Sequence, residues 1–202
     1  MITGLTAIAI LLLCYVVGGI PSGLLIARTA GGIDIREHGS RNIGATNVWR
    51  VLGWKWGLAT WLLDTGKACG IVLLVAPLSG GVPAWLPIAG GLATLMGNFF
   101  NPFLKFRGGK GVATSLGVFL ALAPAAVIIA FAAFIVVVAI TRYISVGSIV
   151  AATLLPLLVL YFNGGGLLFV AILLVSCLVI FKHRANIQRL RAGTEAKIGA
   201  AR

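Results

Sequence analysis

Two stretches of this chain, residues 1–27 and 111–141, contain no Asp, Glu, Lys or Arg. As one helix, the second would be about 46 Å long at 1.5 Å per residue, against a bilayer hydrocarbon core of about 30 Å. Composition points the same way: 60% of the residues are hydrophobic and 10% charged, where a soluble domain carries roughly 25% charge. A soluble fold of 202 residues needs far more charge to cover its surface. The chain is therefore expected to be an all-α, polytopic membrane protein, with residues 1–202 forming a single transmembrane domain.

Lys and Arg outnumber Asp and Glu by 16 to 4, a net charge of +12. In a soluble protein such an excess suggests nucleic acid. Here anionic headgroups and the enrichment of cytoplasmic loops in Lys and Arg explain it, and no nucleic-acid partner is expected. Cys14, Cys69 and Cys177 stand singly in apolar surroundings and read as small hydrophobes, neither a disulfide set nor metal ligands. The first apolar run lacks the basic start of a signal peptide and reads as a retained helix.

The apolar runs are 2–27, 54–76, 85–99, 111–141, 145–162 and 167–181. Loop charge decides how the long one is divided. As a single helix it would put Arg142 and the basic tail opposite the other basic loops. A break near Pro124, which has no amide hydrogen, gives a short helix over 112–122 and another over 125–140. Residues 28–50, 101–111, Arg142 and the tail then share the cytoplasmic side. Residues 77–84, 122–124 and 163–166, all uncharged, face out. The expectation is seven transmembrane segments, including one short broken helix, with the N-terminus outside and the C-terminus cytoplasmic. An 11-residue helix is too short to cross alone and needs protein or a polar cavity around its ends. Gly18, Gly19 and Gly23 fit close helix packing. Asp64 and Lys67, three apart on one helix, read as a structural pair.

Polar residues gather in four places on the expected cytoplasmic side. They are Gly39-Ser40-Arg41-Asn42-Ile43-Gly44-Ala45-Thr46-Asn47 with Arg50, Phe106-Arg107-Gly108-Gly109-Lys110-Gly111, Arg142-Tyr143-Ile144-Ser145-Val146-Gly147-Ser148, and His183-Arg184-Ala185-Asn186. A glycine loop running into a helix offers successive amides to an anion, with Lys110 as a point charge beside them. This loop is not a Walker A sequence, because Leu104 and Gly111 stand where that pattern needs Gly and Ser or Thr. No metal site is expected, since only Asp34, Glu37 and Glu195 lie outside the spans. Hydroxyl, amide and cationic donors beside hydrocarbon suit a substrate with a phosphate in water and an acyl chain in lipid. They could stabilise an oxyanion and a departing phosphate, and position two anions together. A small membrane transporter for an organic phosphate anion is the rival reading from another class, and it lacks the inverted repeat that would support it.

At these residues the chain closely resembles the bacterial acyl-phosphate:glycerol-3-phosphate acyltransferase family. Residues 39–50 satisfy Gly-Ser-x-Asn-x-Gly-Ala-Thr-Asn-x-x-Arg, and 106–114 satisfy Phe-Lys/Arg-Gly-Gly-Lys-Gly-Val-Ala-Thr. Arg-Tyr-x-Ser-x-x-Ser-Ile is found at 142–149, His-Arg-x-Asn-Ile at 183–187 and Leu-Asp-x-x-Lys at 63–67. The resemblance implies seven membrane helices in a bacterial plasma (inner) membrane and an active site facing the cytoplasm. The implied reaction passes an acyl group from acyl phosphate to sn-glycerol 3-phosphate, without cofactor or metal, as the first step of phospholipid synthesis. Partners are the two substrates and membrane lipids, and the protein is taken as a monomer. By this resemblance Ser40, Asn42, Thr46, the glycine loop (Arg107, Gly108, Gly109, Gly111) and Ser148 hold acyl phosphate. Arg50, Lys110, His183 and Asn186 hold glycerol 3-phosphate, with Asn47 and Ser145 also in the binding set. Lys110, Ser148 and His183 form the catalytic set, and His183 is the best protein base. Where the family usually has Gly-His-x-x-Pro, this chain has Gly97-Asn98-Phe99-Phe100-Asn101, and Ala185 replaces a usual Glu.

Overall fold

The computed structural model describes residues 3–78 and 85–199. The start of the expected first span at residue 2, most of the expected outward segment 77–84, and Arg202 lie outside the described residues. Those described form helices joined by turns and two 3₁₀ turns, with no strand among them. The helices are α1 (Gly4–Gly19), α2 (Ser22–Gly31), α3 (Ala45–Leu52), α4 (Trp54–Leu78), α5 (Trp85–Phe99), α6 (Val112–Leu122), α7 (Pro124–Thr141), α8 (Ile144–Asn163), α9 (Leu167–Lys182) and α10 (Arg184–Arg191). Among the described residues, four stretches are long and apolar enough to cross a membrane: Gly4–Gly31, Trp54–Ala76, Pro124–Thr141 and Ile144–Asn163. α9 joins them if counted together with α10, from which it is bent by 50°. Large apolar side chains such as Leu5, Ile140 and Leu174 point outward, as lipid-facing residues do.

The chain divides into two compact units, Met1–Leu122 and Ala123–Arg202. The boundary falls where Pro124 was expected to break the long apolar run. Pro124 is the first residue of α7, where its missing amide leaves no helical bond unmade and its fixed φ suits a helix start.

In the first unit α4 packs against α3, α5 and α6, and α1 lies along α5. Association in lipid depends on close van der Waals fit, and small residues provide it. A methyl group built at Gly18 would land on the backbone of Thr94, and one at Gly97 on the carbonyl of Tyr15. The expected single first helix is divided. α1 ends at Gly19 and α2 restarts at Ser22, because Pro21 cannot donate the amide that would continue the ladder. The Asp64–Lys67 pair is present at 2.7 Å.

In the second unit α8 packs on α7 and α9. Gly147 admits Val138 and Phe134 of α7 against the first turn of α8.

Candidate active site

In the first unit the loop before α3 is built around one buried amide. Asn47 Oδ1 accepts from the Ser40 amide at 2.8 Å. Its Nδ2 donates to the carbonyls of Ile35, His38 and Asn42 at 3.2, 3.0 and 2.8 Å. Asn42 closes a smaller turn by accepting from the Gly44 amide at 2.9 Å. Residues 45–50, expected as part of the cytoplasmic segment 28–50, are helical and belong to α3. Gly44 serves as N-cap, and α3 carries Thr46 in its first turn and Arg50 in its last. Ser40 is exposed, while Asn42, Thr46 and Arg50 are half-buried. Upstream, Arg36 and Arg28 pair with Asp34. The Arg36 guanidinium holds the Asp34 carboxyl well below the usual carboxylate range, outweighing the opposing effect of burial.

The glycine loop lies against the end of α5. Gly108 and Gly109 donate their amides to the carbonyls of Phe99 and Asn98 at 3.3 and 3.2 Å. Those two amides are therefore committed to the backbone, which corrects the expectation that successive loop amides are offered to an anion. Glycine at 108 has a steric reason: a Cβ there would strike the carbonyl oxygen of Asn98. Gly111 takes φ +76° with the ring of Phe99 against it. The first helical bond of α6 runs from the Ser115 amide to the Gly111 carbonyl at 2.7 Å. Helix geometry thus leaves the amides of Val112, Ala113 and Thr114 as this segment's donors for an anion. Lys110 is half-buried and Arg107 exposed. Ile43 lies 3.7 Å from the position a Gly109 Cβ would take, so the first motif and the glycine loop meet.

The two substituted positions are built into this end of the unit. Asn101 Nδ2 donates to the Gly19 carbonyl at 2.6 Å. Its own carbonyl accepts from the amides of Leu104 and Phe106, holding the left-handed backbone at Lys105 and Phe106. Asn98 is buried beneath the loop. Its Oδ1 and the Ser115 hydroxyl are the buried side-chain atoms among the described residues without a hydrogen-bond partner.

The second unit gathers its polar residues around a carboxylate. Glu195 accepts from Ser145 at 2.8 Å and from Asn186 at 2.6 Å on one oxygen, and from Arg189 at 2.7 Å on the other. Burial pushes its carboxyl up, and the three donors outweigh that, leaving the group below the usual carboxylate range. Ser148 is buried and donates back to the Ile144 carbonyl at 2.9 Å. His183 is buried where α9 bends into α10, its Nδ1 2.8 Å from the Val179 carbonyl. A carbonyl can only accept, so Nδ1 carries the hydrogen and a neutral ring has its lone pair at Nε2.

A family model described as "Glycerol-3-phosphate acyltransferase" matches residues 8–193. A glycerol-3-phosphate acyltransferase of Geobacter sulfurreducens is 51% identical over 196 residues, covering 97% of each chain. The chain belongs to the glycerol-3-phosphate acyltransferase family. Another member, from Trichlorobacter lovleyi, is 50% identical and covers 92% of this chain and 94% of its own. Among solved structures, PlsY, an integral membrane glycerol 3-phosphate acyltransferase, matches in its glycerol 3-phosphate form with a TM-score of 0.89 and 35% identity. The match covers 96% of both chains. Its lysophosphatidic acid form matches with a TM-score of 0.87. The chain is thus a multi-pass membrane acyltransferase, all-helical in its described residues.

Sequence reasoning about this acyltransferase missed Glu195 as the acceptor that joins Ser145, Asn186 and Arg189. The available signal was a lone carboxylate in a basic tail. It also missed α3, whose apolar Ala45, Val48 and Leu52 recur at three- and four-residue spacing.

Proposed function

We propose that the chain transfers a fatty acyl group from an acyl phosphate to the 1-hydroxyl of sn-glycerol 3-phosphate. An ester bond forms between the acyl carbonyl carbon and the glycerol oxygen. The bond from that carbon to the phosphate oxygen breaks, and the hydroxyl proton leaves with the phosphate. The products are lysophosphatidic acid and inorganic phosphate, the first step of phospholipid synthesis. What carries the reading is the complete first motif folded against the glycine loop, in a family with one member solved in glycerol 3-phosphate and lysophosphatidic acid forms.

Ser40, Asn42, Thr46, Ser148 and the loop of Arg107, Gly108, Gly109 and Gly111 serve the acyl-phosphate end. The glycines shape the loop, and the α6 amides supply its anion donors. Arg50, Lys110, His183 and Asn186 serve glycerol 3-phosphate. Asn47 and Ser145 act through the groups they hold, the first-motif loop and Glu195. Lys110 stabilises charge that develops on the reacting oxygens, and Ser148 does so when its hydroxyl turns to them from the Ile144 carbonyl. His183, with Nε2 as its acceptor, is the protein's candidate base, alongside the substrate's own phosphate. The scheme uses no metal or cofactor. The whole chain serves this activity as a monomer of seven spans in a bacterial plasma or inner membrane. Its N-terminus is outside, its C-terminus and active site are cytoplasmic, and lipid surrounds it. Uncharged connections and basic polar clusters in the sequence support that orientation.

Replacing Lys110 by alanine should abolish acyl transfer in a protein that still folds, and replacing Arg50 by alanine should mainly raise KM for glycerol 3-phosphate. Near-normal turnover in the first variant, or an unchanged KM in the second, would overturn these assignments.

A further inference from the structure

The break in the first span coincides with a buried cation from another helix. The Lys67 ammonium, on α4, has three hydrogens to donate. It meets three acceptors: Asp64 Oδ1 at 2.7 Å, Ser22 Oγ at 3.4 Å and the Ile20 carbonyl. The lysine and aspartate side chains are only 12% and 11% exposed. Lys67 is thus saturated by protein groups and has no hydrogen left for substrate.

What it holds is the junction between α1 and α2, which has further attachments. The Gly19 carbonyl, one residue before Ile20, accepts from Asn101, whose own carbonyl holds the approach to the glycine loop. Gly23, one residue after Ser22, lies so close to the Ile43 carbonyl that a Cβ would collide with it. Ile43 belongs to the first motif and meets Gly109. The two polar loops of this unit are therefore both tied to a five-residue stretch, 19–23, whose middle is secured by Lys67.

We propose that Lys67 is a positioning residue for acyl transfer: by clamping the Pro21 break it keeps the first-motif loop and the glycine loop in mutual register. The inference rests on the acyl-transfer reading above. Asp64 balances the charge of the clamp and orients the ammonium, because a buried lysine without a partner is costly. An uncharged side chain at 67 leaves the Ile20 carbonyl with the Ser22 amide alone and frees the start of α2.

The test compares Lys67→Met, Lys67→Arg and the double variant Lys67→Met with Asp64→Asn. The double variant removes the unpaired carboxylate that could prevent folding of the single one. Two readouts are taken, substrate kinetics and hydrogen exchange. KM for both substrates should rise about tenfold to hundredfold in the methionine variants, and Lys67→Arg should recover most of it. Amide exchange should quicken at Ser40, Arg41 and Gly44 and at Gly108 and Gly109, with the α7 to α9 amides unchanged. Wild-type exchange at those loop amides in the double variant would overturn the proposal, whether or not the protein is active. So would loss of stability throughout the chain with unaltered KM values. An inactive wild-type protein whose variants show the expected loop exchange would instead count against the acyl-transfer reading alone.

Discussion

Replacing Asn47 by alanine removes four contacts at once from the loop of the first motif, three of which share the two Nδ2 hydrogens. Each is worth about 0.5–1.5 kcal/mol net, and buried groups left without a partner cost about 1–3 kcal/mol more. The loop is partly open, so water would recover some of this, and a net loss of about 2–4 kcal/mol is expected. That is a large part of the roughly 5–15 kcal/mol that holds a domain folded. It corresponds to a fall of about 4–16 °C in Tm for a chain of this size. Thermal unfolding in detergent, followed by tryptophan fluorescence, measures it. Asn47→Asp keeps the acceptor for Ser40 but turns a negative oxygen toward the carbonyls of Ile35, His38 and Asn42, so it should be at least as damaging. Because Ser40, Asn42 and Thr46 move with the loop, KM should also rise. An unchanged Tm with a raised KM would refute the reasoning, since the asparagine would then act on substrate and the loop would not depend on it.

Replacing Glu195 by glutamine keeps an oxygen for Ser145 and Asn186 but places an amide against Arg189. Arg189 is 40% exposed but the Glu195 side chain only 6%, so the lost pair should cost more than an exposed one, about 1–3 kcal/mol at neutral pH. Because the folded carboxyl is held below its unfolded range, its contribution is present above the unfolded pKa and fades as pH falls through the folded one. Stability of the glutamine variant should therefore fall less steeply in acid than that of the native protein, and parallel acid limbs would contradict this. For the orientation, single cysteines at Gly165 and Arg191 in a chain with Cys14, Cys69 and Cys177 replaced by alanine can be labelled with an impermeant maleimide. Intact cells should label position 165 and only lysed cells position 191. The opposite pattern would reverse the topology.

The fold was most legible where a single residue type has one strong consequence. Pro124 marked the start of α7 because a missing amide is tolerated only at a helix start or break. Asp64 and Lys67, three apart in an apolar run, could avoid an unpaired charge only by meeting. The same logic applied to Pro21 and went unused, since the hydropathy of 1–27 continues unbroken across it. Local pattern reads the interior of a helix better than its junctions, which depend on distant partners such as Lys67 and Asn101. At the site, residue types pointed to anion chemistry but could not show which donors were already engaged. The amides of Gly108 and Gly109 go to the end of α5, and the Ser145 hydroxyl and Asn186 side-chain amide to Glu195, 50 and 9 residues away in the chain. Asn47 looked like another donor in a polar run, and only the folded loop reveals it as the bolt that holds the others.

The most direct measurement offers purified protein radiolabelled glycerol 3-phosphate with either an acyl phosphate or the corresponding acyl-coenzyme A. Labelled lysophosphatidic acid and an equal amount of inorganic phosphate should appear with acyl phosphate and not with the thioester. Product from acyl-coenzyme A alone, or none from acyl phosphate, would contradict the account.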